Sequence, residues 1–140
     1  MFFIIWNKDC ETPFLLLVCR FGRLDVAKFL VEKGCEWNVT DKRRRSPLWY
    51  ASYWGREEIV QFLLDLGADA NEQDEDGDGP LYMAVAAFRE DSGSLKLVKS
   101  LISSGAEPNL KNRAGETPLG MACDMERNDI AELMKRNGCD

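Results

Sequence analysis

Two kinds of punctuation recur along this chain on one period, and that recurrence constrains the fold more than any single motif. Pro13, Pro47, Pro80 and Pro118 stand 34, 33 and 38 residues apart, in the words TPFL, SPLW, GPLY and TPLG. Gly34, Gly67, Gly105 and Gly138 recur at 33, 38 and 33, and the first three open the words GCEWN, GADAN and GAEPN. A unit of this size cannot bury its own apolar surface, so successive units must stack to make a core. The longer spacing means five additional residues in the third unit, and the 34-residue spacing means one in the first.

Each unit reads as a pair of helices. Thr12, Ser46 and Thr117 place a hydroxyl where it can accept from a helix's unpaired first amides, and the proline that follows suits the first helical position. The segments VAKFLV, IVQFLL, LVKSLI and IAELMK then carry apolar residues at helical spacing, with glycine just past each end as a stop.

The period and the words resemble the ankyrin repeat, a β-turn followed by two antiparallel helices with the signature D-x-x-G-x-T-P-L-H-x-A. The resemblance covers nearly the whole chain and implies an all-α solenoid of four stacked β-turn/helix-turn-helix units. It forms one domain over 1–140, with repeats at approximately 7–40, 41–73, 74–111 and 112–140. The departures are specific. The chain has no histidine, and Leu15, Trp49, Tyr82 and Gly120 occupy the histidine place, so the hydrogen bonds of that residue are expected to be lost. The turn glycine is kept at Gly77 and Gly115 but replaced by Cys10 and Arg44, at a cost of roughly 1 kcal/mol each where φ is positive. The additional residues of the third unit fall within Ala86 to Ser94 and lengthen its first helix or the following loop. They read as tolerated surface length, since doubling a loop costs only about 0.6 kcal/mol.

Composition narrows the function. Hydrophobic residues are 45% and charged residues 30% of the 140, the balance of a folded globular chain. A net charge of -6 disfavours general affinity for nucleic acid or anionic membrane. Cysteines 10, 19, 35, 123 and 139 are odd in number and lack metal-ligand spacing, so they read as small apolar residues in a reducing compartment, cytoplasmic or nuclear. The opening MFFIIW lacks a basic stretch and is too short for a secretion signal. Without histidine no serine or cysteine triad can be built, and no phosphate-binding loop appears, so neither catalysis nor a cofactor is expected. Asp74, Asp76 and Asp78 alternate as in a calcium loop, but the twelfth position is Val85 rather than a bidentate glutamate, which favours a turn.

The ankyrin resemblance implies a partner protein held by the fingertip turns and the exposed end of each first helix. Those positions are Lys8, Asp9, Glu11, Arg20 and Phe21; Lys42, Arg43, Arg45, Tyr53 and Trp54; Glu75, Asp76, Asp78, Ala86 and Ala87; and Arg113, Glu116, Asp124 and Met125. Aromatic residues and arginine dominate binding energies, which puts the expected hot spot at Phe21, Arg43, Arg45, Tyr53 and Trp54, with Asp76, Asp78 and Met125 at the other end. Trp37 and Tyr50 are expected in the core. The basic run Lys42 to Arg45 and the acidic run Glu72 to Asp78 fall on neighbouring fingertips and are expected to attract each other. Lys135 and Arg136 cap the last repeat. Phe14 to Val18 leave the first repeat apolar, so Met1 to Trp6 are expected to fold over it in a monomer, with dimerisation through that face as the alternative. A piece of a larger scaffold and a stoichiometric enzyme inhibitor are the other functional readings.

Overall fold

The computed structural model describes residues 13–87 and 93–137. Among them are eight helices and no strand: α1 (Phe14–Phe21), α2 (Leu24–Glu32), α3 (Pro47–Tyr53), α4 (Glu57–Asp65), α5 (Pro80–Ala86), α6 (Gly93–Ser103), α7 (Pro118–Asp124) and α8 (Asn128–Arg136). They form two layers. The first helices pack in the order α1, α3, α5, α7, the second helices in the order α2, α4, α6, α8, and each first helix also contacts its own second helix.

The layers exist because equivalent positions in every repeat are apolar. In the second helices Ala27, Val60, Val98 and Ala131 form one buried column, and Leu30, Leu63, Leu101 and Met134 form another one turn later. In the first helices Ala51, Ala84 and Ala122 are all fully buried, and their small side chains let neighbouring helices approach closely. The last helix, α8, keeps Ile130, Ala131 and Met134 inward while Lys135 and Arg136 are exposed. Cys19 is buried, which raises its thiol to about 12 and leaves it an inert apolar residue. Trp37 is half-buried against the core and Tyr50 is buried, as expected.

The helix ends follow the punctuation. Ser46 Oγ accepts from Trp49 N at 3.0 Å and Thr117 Oγ1 from Gly120 N at 3.0 Å, each just before a proline at the first helical position. At the other end Cys35, Ala68 and Ala106 donate their amides to Leu30, Leu63 and Leu101, each at 3.0 Å, closing the same cap three times over a positive-φ glycine. Thr12, Gly138 and the Met1 to Trp6 segment lie outside the described residues.

The extra lengths fall at particular joints. α1 has eight residues where α3, α5 and α7 have seven, which accounts for the additional residue of the first repeat. The third-repeat insertion does not lengthen the first helix, because α5 keeps the seven-residue length. Instead α6 has eleven residues against nine in α4, and Gly93 opens it seven positions after α5 ends at Ala86. The physical reason is that a longer α5 would project past neighbours of fixed length, whereas the joint between the layers can absorb residues.

Between repeats the chain makes the same β-turn at residues 41–45, 74–78 and 112–116. Arg44 N donates to Asp41 O, Gly77 N to Asp74 O and Gly115 N to Asn112 O, each at 3.0 Å. The fourth residue is left-handed in all three: Arg44 at φ 63°, Gly77 and Gly115 at 81°. Adjacent turns are joined through their backbones, Glu75 N donating to Arg43 O and Arg113 N to Asp76 O, both at 3.0 Å. A Cβ on Gly77 would meet Arg113 N at 2.8 Å and the Cα of Asn112 at 2.9 Å, whereas one on Gly115 would meet nothing within 4 Å. Gly77→Ala is therefore expected to cost more than Gly115→Ala, whose penalty is about 1 kcal/mol, and Arg44→Gly is expected to stabilise by up to about 1 kcal/mol. Urea unfolding of the three variants checks this; equal losses for the two alanines would mean that the turns do not pack closely.

Candidate functional site

Each turn is organised by the side chain at its first position. Asp41 Oδ1 accepts the amides of Arg43 and Arg45, and Asp74 Oδ1 accepts those of Asp76 and Asp78, all at 2.9 Å; Asn112 Oδ1 accepts from Glu116 N at 2.8 Å. Such Asx bonds bend the backbone back on itself and satisfy amides that no helix reaches. Asp41 and Asp74 are buried, so their second oxygens also need donors. Asp41 Oδ2 receives Tyr50 Oη at 2.6 Å and Arg45 Nε at 2.6 Å, and Asp74 Oδ2 receives Trp49 Nε1 at 3.0 Å.

This overturns the expectation that the missing histidines leave the network empty. Trp49 and Tyr82 occupy the histidine place and both still donate to the following turn, Trp49 to Asp74 and Tyr82 Oη to Glu116 Oε1 at 3.2 Å. An indole N–H and a phenol O–H replace the imidazole N–H, with a larger ring filling the space. Leu15 cannot donate, and Asp41 is served instead by Tyr50 and Arg45 of its own repeat. Burial works against ionisation of Asp41, but the bonds from Tyr50 and Arg45 outweigh it and hold its carboxyl below the usual range. Burial, then the Asp41 carboxylate, pushes the Tyr50 phenol up to about 12.

The aromatic residues form a continuous ladder. Trp49 meets Tyr50 edge-on at 5.3 Å and stacks on Tyr53 at 5.3 Å, and Tyr53 meets Trp54 edge-on at 5.2 Å. Arginines close both ends: the Arg45 guanidinium lies 5.1 Å from Trp49 and 5.3 Å from Tyr50, while Arg20 lies 4.8 Å from Trp54 and 5.4 Å from Phe21. The ladder starts in the core and emerges at the end of the first helices, where Trp54 is 38% and Phe21 62% exposed. Arg56 Nε donates to Arg20 O at 3.0 Å across the two repeats, fixing the exposed end from below.

The site residues expected from sequence fall into separate groups. Phe21, Tyr53 and Trp54 come together with Arg20 in one ridge. Arg45 is turned inward onto Asp41 and the rings, so it positions the ladder rather than presenting a free charge. Tyr53 is half-buried and its ring supports Trp49. Arg43 and Asp76 are exposed on successive fingertips, joined to the neighbouring turns through their backbone carbonyls. No arginine–carboxylate ion pair links the basic and acidic fingertips among the described residues; the expected attraction acts at longer range, with the charge of Arg44 opposing the rise of the Glu72 carboxyl, and the direct link is a backbone bond, Glu75 N to Arg43 O. The reason is that the carboxylate of Asp74 is already taken by its own turn and by Trp49. Met125 is half-buried in the same register as Phe21 and Trp54, two repeats further on.

The acidic turn has its own electrostatics. The carboxylate oxygens of Asp74, Asp76 and Asp78 lie within 4.8 Å of one another, a separation a cation could bridge. Yet both Asp74 oxygens are committed, and Val85, at the twelfth position counted from Asp74, is fully buried in the core. Burial, with Asp74, Asp76 and Glu116 close by, raises the Asp78 carboxyl above the usual range against a bond from Asn112 Nδ2 at 2.9 Å. Burial first, then the charge of Asp69, raises Glu72 likewise, against the pull of Arg44.

The motif reading passed over Asp41 and Asn112, and weighed Asp74 as a calcium-loop position rather than as the organiser of its turn. Their signal is an Asx five positions before each helix cap, legible once Ser46, Gly79 and Thr117 are aligned.

Stacked helix pairs with an Asx turn between them, and a surface of helix ends and fingertips, define a helical repeat array. The chain belongs to the ankyrin-repeat family: a model of ankyrin repeats in three copies matches residues 4–74, and a model of ankyrin repeats in many copies matches residues 85–134. No curated protein matches the chain. Ankyrin repeats generally mediate protein–protein interactions, and the family is typically non-enzymatic. Among the described residues no helix is long and apolar enough to cross a membrane.

Two outcomes are expected. Trp49→Phe keeps most of the ring packing but leaves Asp74 Oδ2 buried without its donor, and should cost about 1–3 kcal/mol by urea unfolding; a loss within experimental error would show that the indole bond contributes nothing. Asp78 binds its proton more tightly folded than unfolded, so its ionised form is penalised at neutral pH and the penalty lifts as pH falls through its raised native value. Asp78→Asn, which can still accept from Asn112, should therefore melt above wild type at neutral pH, with the gap closing on acidification. A gap that widens on acidification would reverse that sign.

Proposed function

We propose that this chain is a non-catalytic binding module whose partner protein docks on the ridge of Arg20, Phe21, Tyr53 and Trp54. The observation that carries this reading is the ladder itself. Two large rings stand at the surface, Trp54 held edge-on to Tyr53, whose stacking runs back to buried Trp49, and Phe21 beside it, and one arginine lies against both. Rigid aromatic and arginine side chains lose little freedom on binding and bury much area, so they are the residues that dominate interface energies. The ridge joins the ends of α1 and α3, and Ala87 and Met125 continue its register along the later repeats. Arg43 and Asp76, exposed on the fingertips, flank it as rim contacts, where charges steer and select more than they anchor.

The test separates binding from folding by using the two exposed rings. Tyr53 is unsuitable because its loss would also remove support from Trp49. Phe21→Ala with Trp54→Ala should reduce affinity for a partner captured by the wild-type chain at least about tenfold, while the melting temperature stays close to wild type. Undiminished capture by the double variant would place the binding surface elsewhere. Loss of folding would make the two rings structural.

A further inference from the structure

Resting on that reading, we propose that the ridge selects a partner segment in which a bulky apolar side chain is flanked by carboxylates. The argument begins with Arg20. Its guanidinium lies 4.8 Å from the Trp54 ring and 5.4 Å from the Phe21 ring, yet it makes no ion pair among the described residues. The cations around it are differently placed. Arg23 is paired with Asp25 and Arg45 with Asp41, while Arg56 spends its Nε on the carbonyl of Arg20. Arg20 is thus a charged group held beside two rings, with no carboxylate paired to it among the described residues.

A guanidinium oriented in advance gives up less freedom for each bond it forms, and its planar fork matches a carboxylate in a way an ammonium cannot. The rings beside it offer apolar surface next to that charge, so the complementary ligand presents both features side by side. An acidic group alone would leave Trp54 and Phe21 uncovered, and an apolar group alone would leave the arginine edge facing it unpaired.

The far half of the array sets where such a segment can lie. Asp76, Asp78 and Glu116 gather on the turns at 74–78 and 112–116, Asp124 stands in the register that Arg20 holds in the first repeat, and together they outnumber the exposed Lys111 and Arg113 beside them. No lysine or arginine pairs with any of these carboxylates among the described residues, and burial beside Asp74, Asp76 and Glu116 already raises the proton affinity of Asp78. A segment rich in carboxylates would be repelled there and is confined to the first two repeats. The acidic half acts here as a repelling field that gives the surface a direction, with the occupied site at the ridge.

The experiment is an NMR titration of the full-length protein with three blocked pentapeptides, each a central leucine flanked by two glutamates, two glutamines or two lysines and ending in glycines. The glutamate peptide should move the Trp54 indole and Arg20 side-chain signals and bind at least about fivefold more tightly than the glutamine peptide, with that gap shrinking in salt. The lysine peptide should leave the ridge signals unmoved. Arg20→Gln should bring the glutamate peptide down to the level of the glutamine one, and Arg20→Lys should restore only part of the difference. Equal binding of the glutamate and glutamine peptides, preference for the lysine peptide, or no shift with any of them at roughly millimolar concentration would overturn the proposal. If glutamate and glutamine peptides bind alike and Trp54→Ala abolishes both, the ridge stands and the acidic preference falls. If Trp54→Ala leaves binding unchanged, the ridge itself falls.

Discussion

The structure turns on a side chain at the root of each fingertip whose oxygens must be satisfied on two sides. Asp74 shows the constraint most clearly. One oxygen gathers the amides of Asp76 and Asp78 and shapes the turn, and the other receives the indole of Trp49 from the repeat before. Remove either set and a buried carboxylate is left short of partners, which costs far more than a lost surface contact. The turn and the stack are therefore one unit of stability. Asp41 is satisfied instead by Tyr50 and Arg45, which tie its turn to the first helix of its own repeat, and the Asn112 amide nitrogen reaches both Asp78 of the repeat before and Glu116 of its own.

That solution has a consequence for the surface. Meeting the carboxylate with tryptophan and tyrosine rather than histidine brings large rings into the first-helix layer. Once Trp49 is fixed by Asp74, Tyr53 stacks on it and Trp54 packs edge-on against Tyr53, so rigidity is carried outward from the core to a ring that is 38% exposed. The same residues that hold repeats two and three together thus build the ridge between repeats one and two. Arg20 and Phe21 complete it because the additional residue of the first repeat lies within α1, which keeps its end in register with the end of α3.

Much of this was legible in the sequence, for identifiable reasons. The proline and glycine marks report backbone chemistry that depends on one residue and its neighbours, so Ser46, Thr117 and the glycines after the second helices did what their types dictate. Arg44 at φ 63° follows from register alone. The network was not legible because it depends on reach between repeats: that the Trp49 indole arrives at Asp74, and that Tyr82 arrives at Glu116, are facts about distance. The inward turn of Arg45 was hidden for the same reason, since a basic run looks alike whether its members are solvated or paired. The insertion was narrowed only to the first helix or the loop after it because length can be added at any joint of a repeat, and only the fixed seven-residue length of α5 shows which joint took it.

Native-state hydrogen exchange tests most directly the claim that turn and stack are one unit. The amides of Arg43, Arg45, Asp76 and Asp78, together with the Trp49 indole N–H, should exchange only through the opening that exposes the amides of Leu63 and Leu101, with the same free energy. Fingertip amides and indole exchanging at the rate of open loops, while the helices stay protected, would contradict the account.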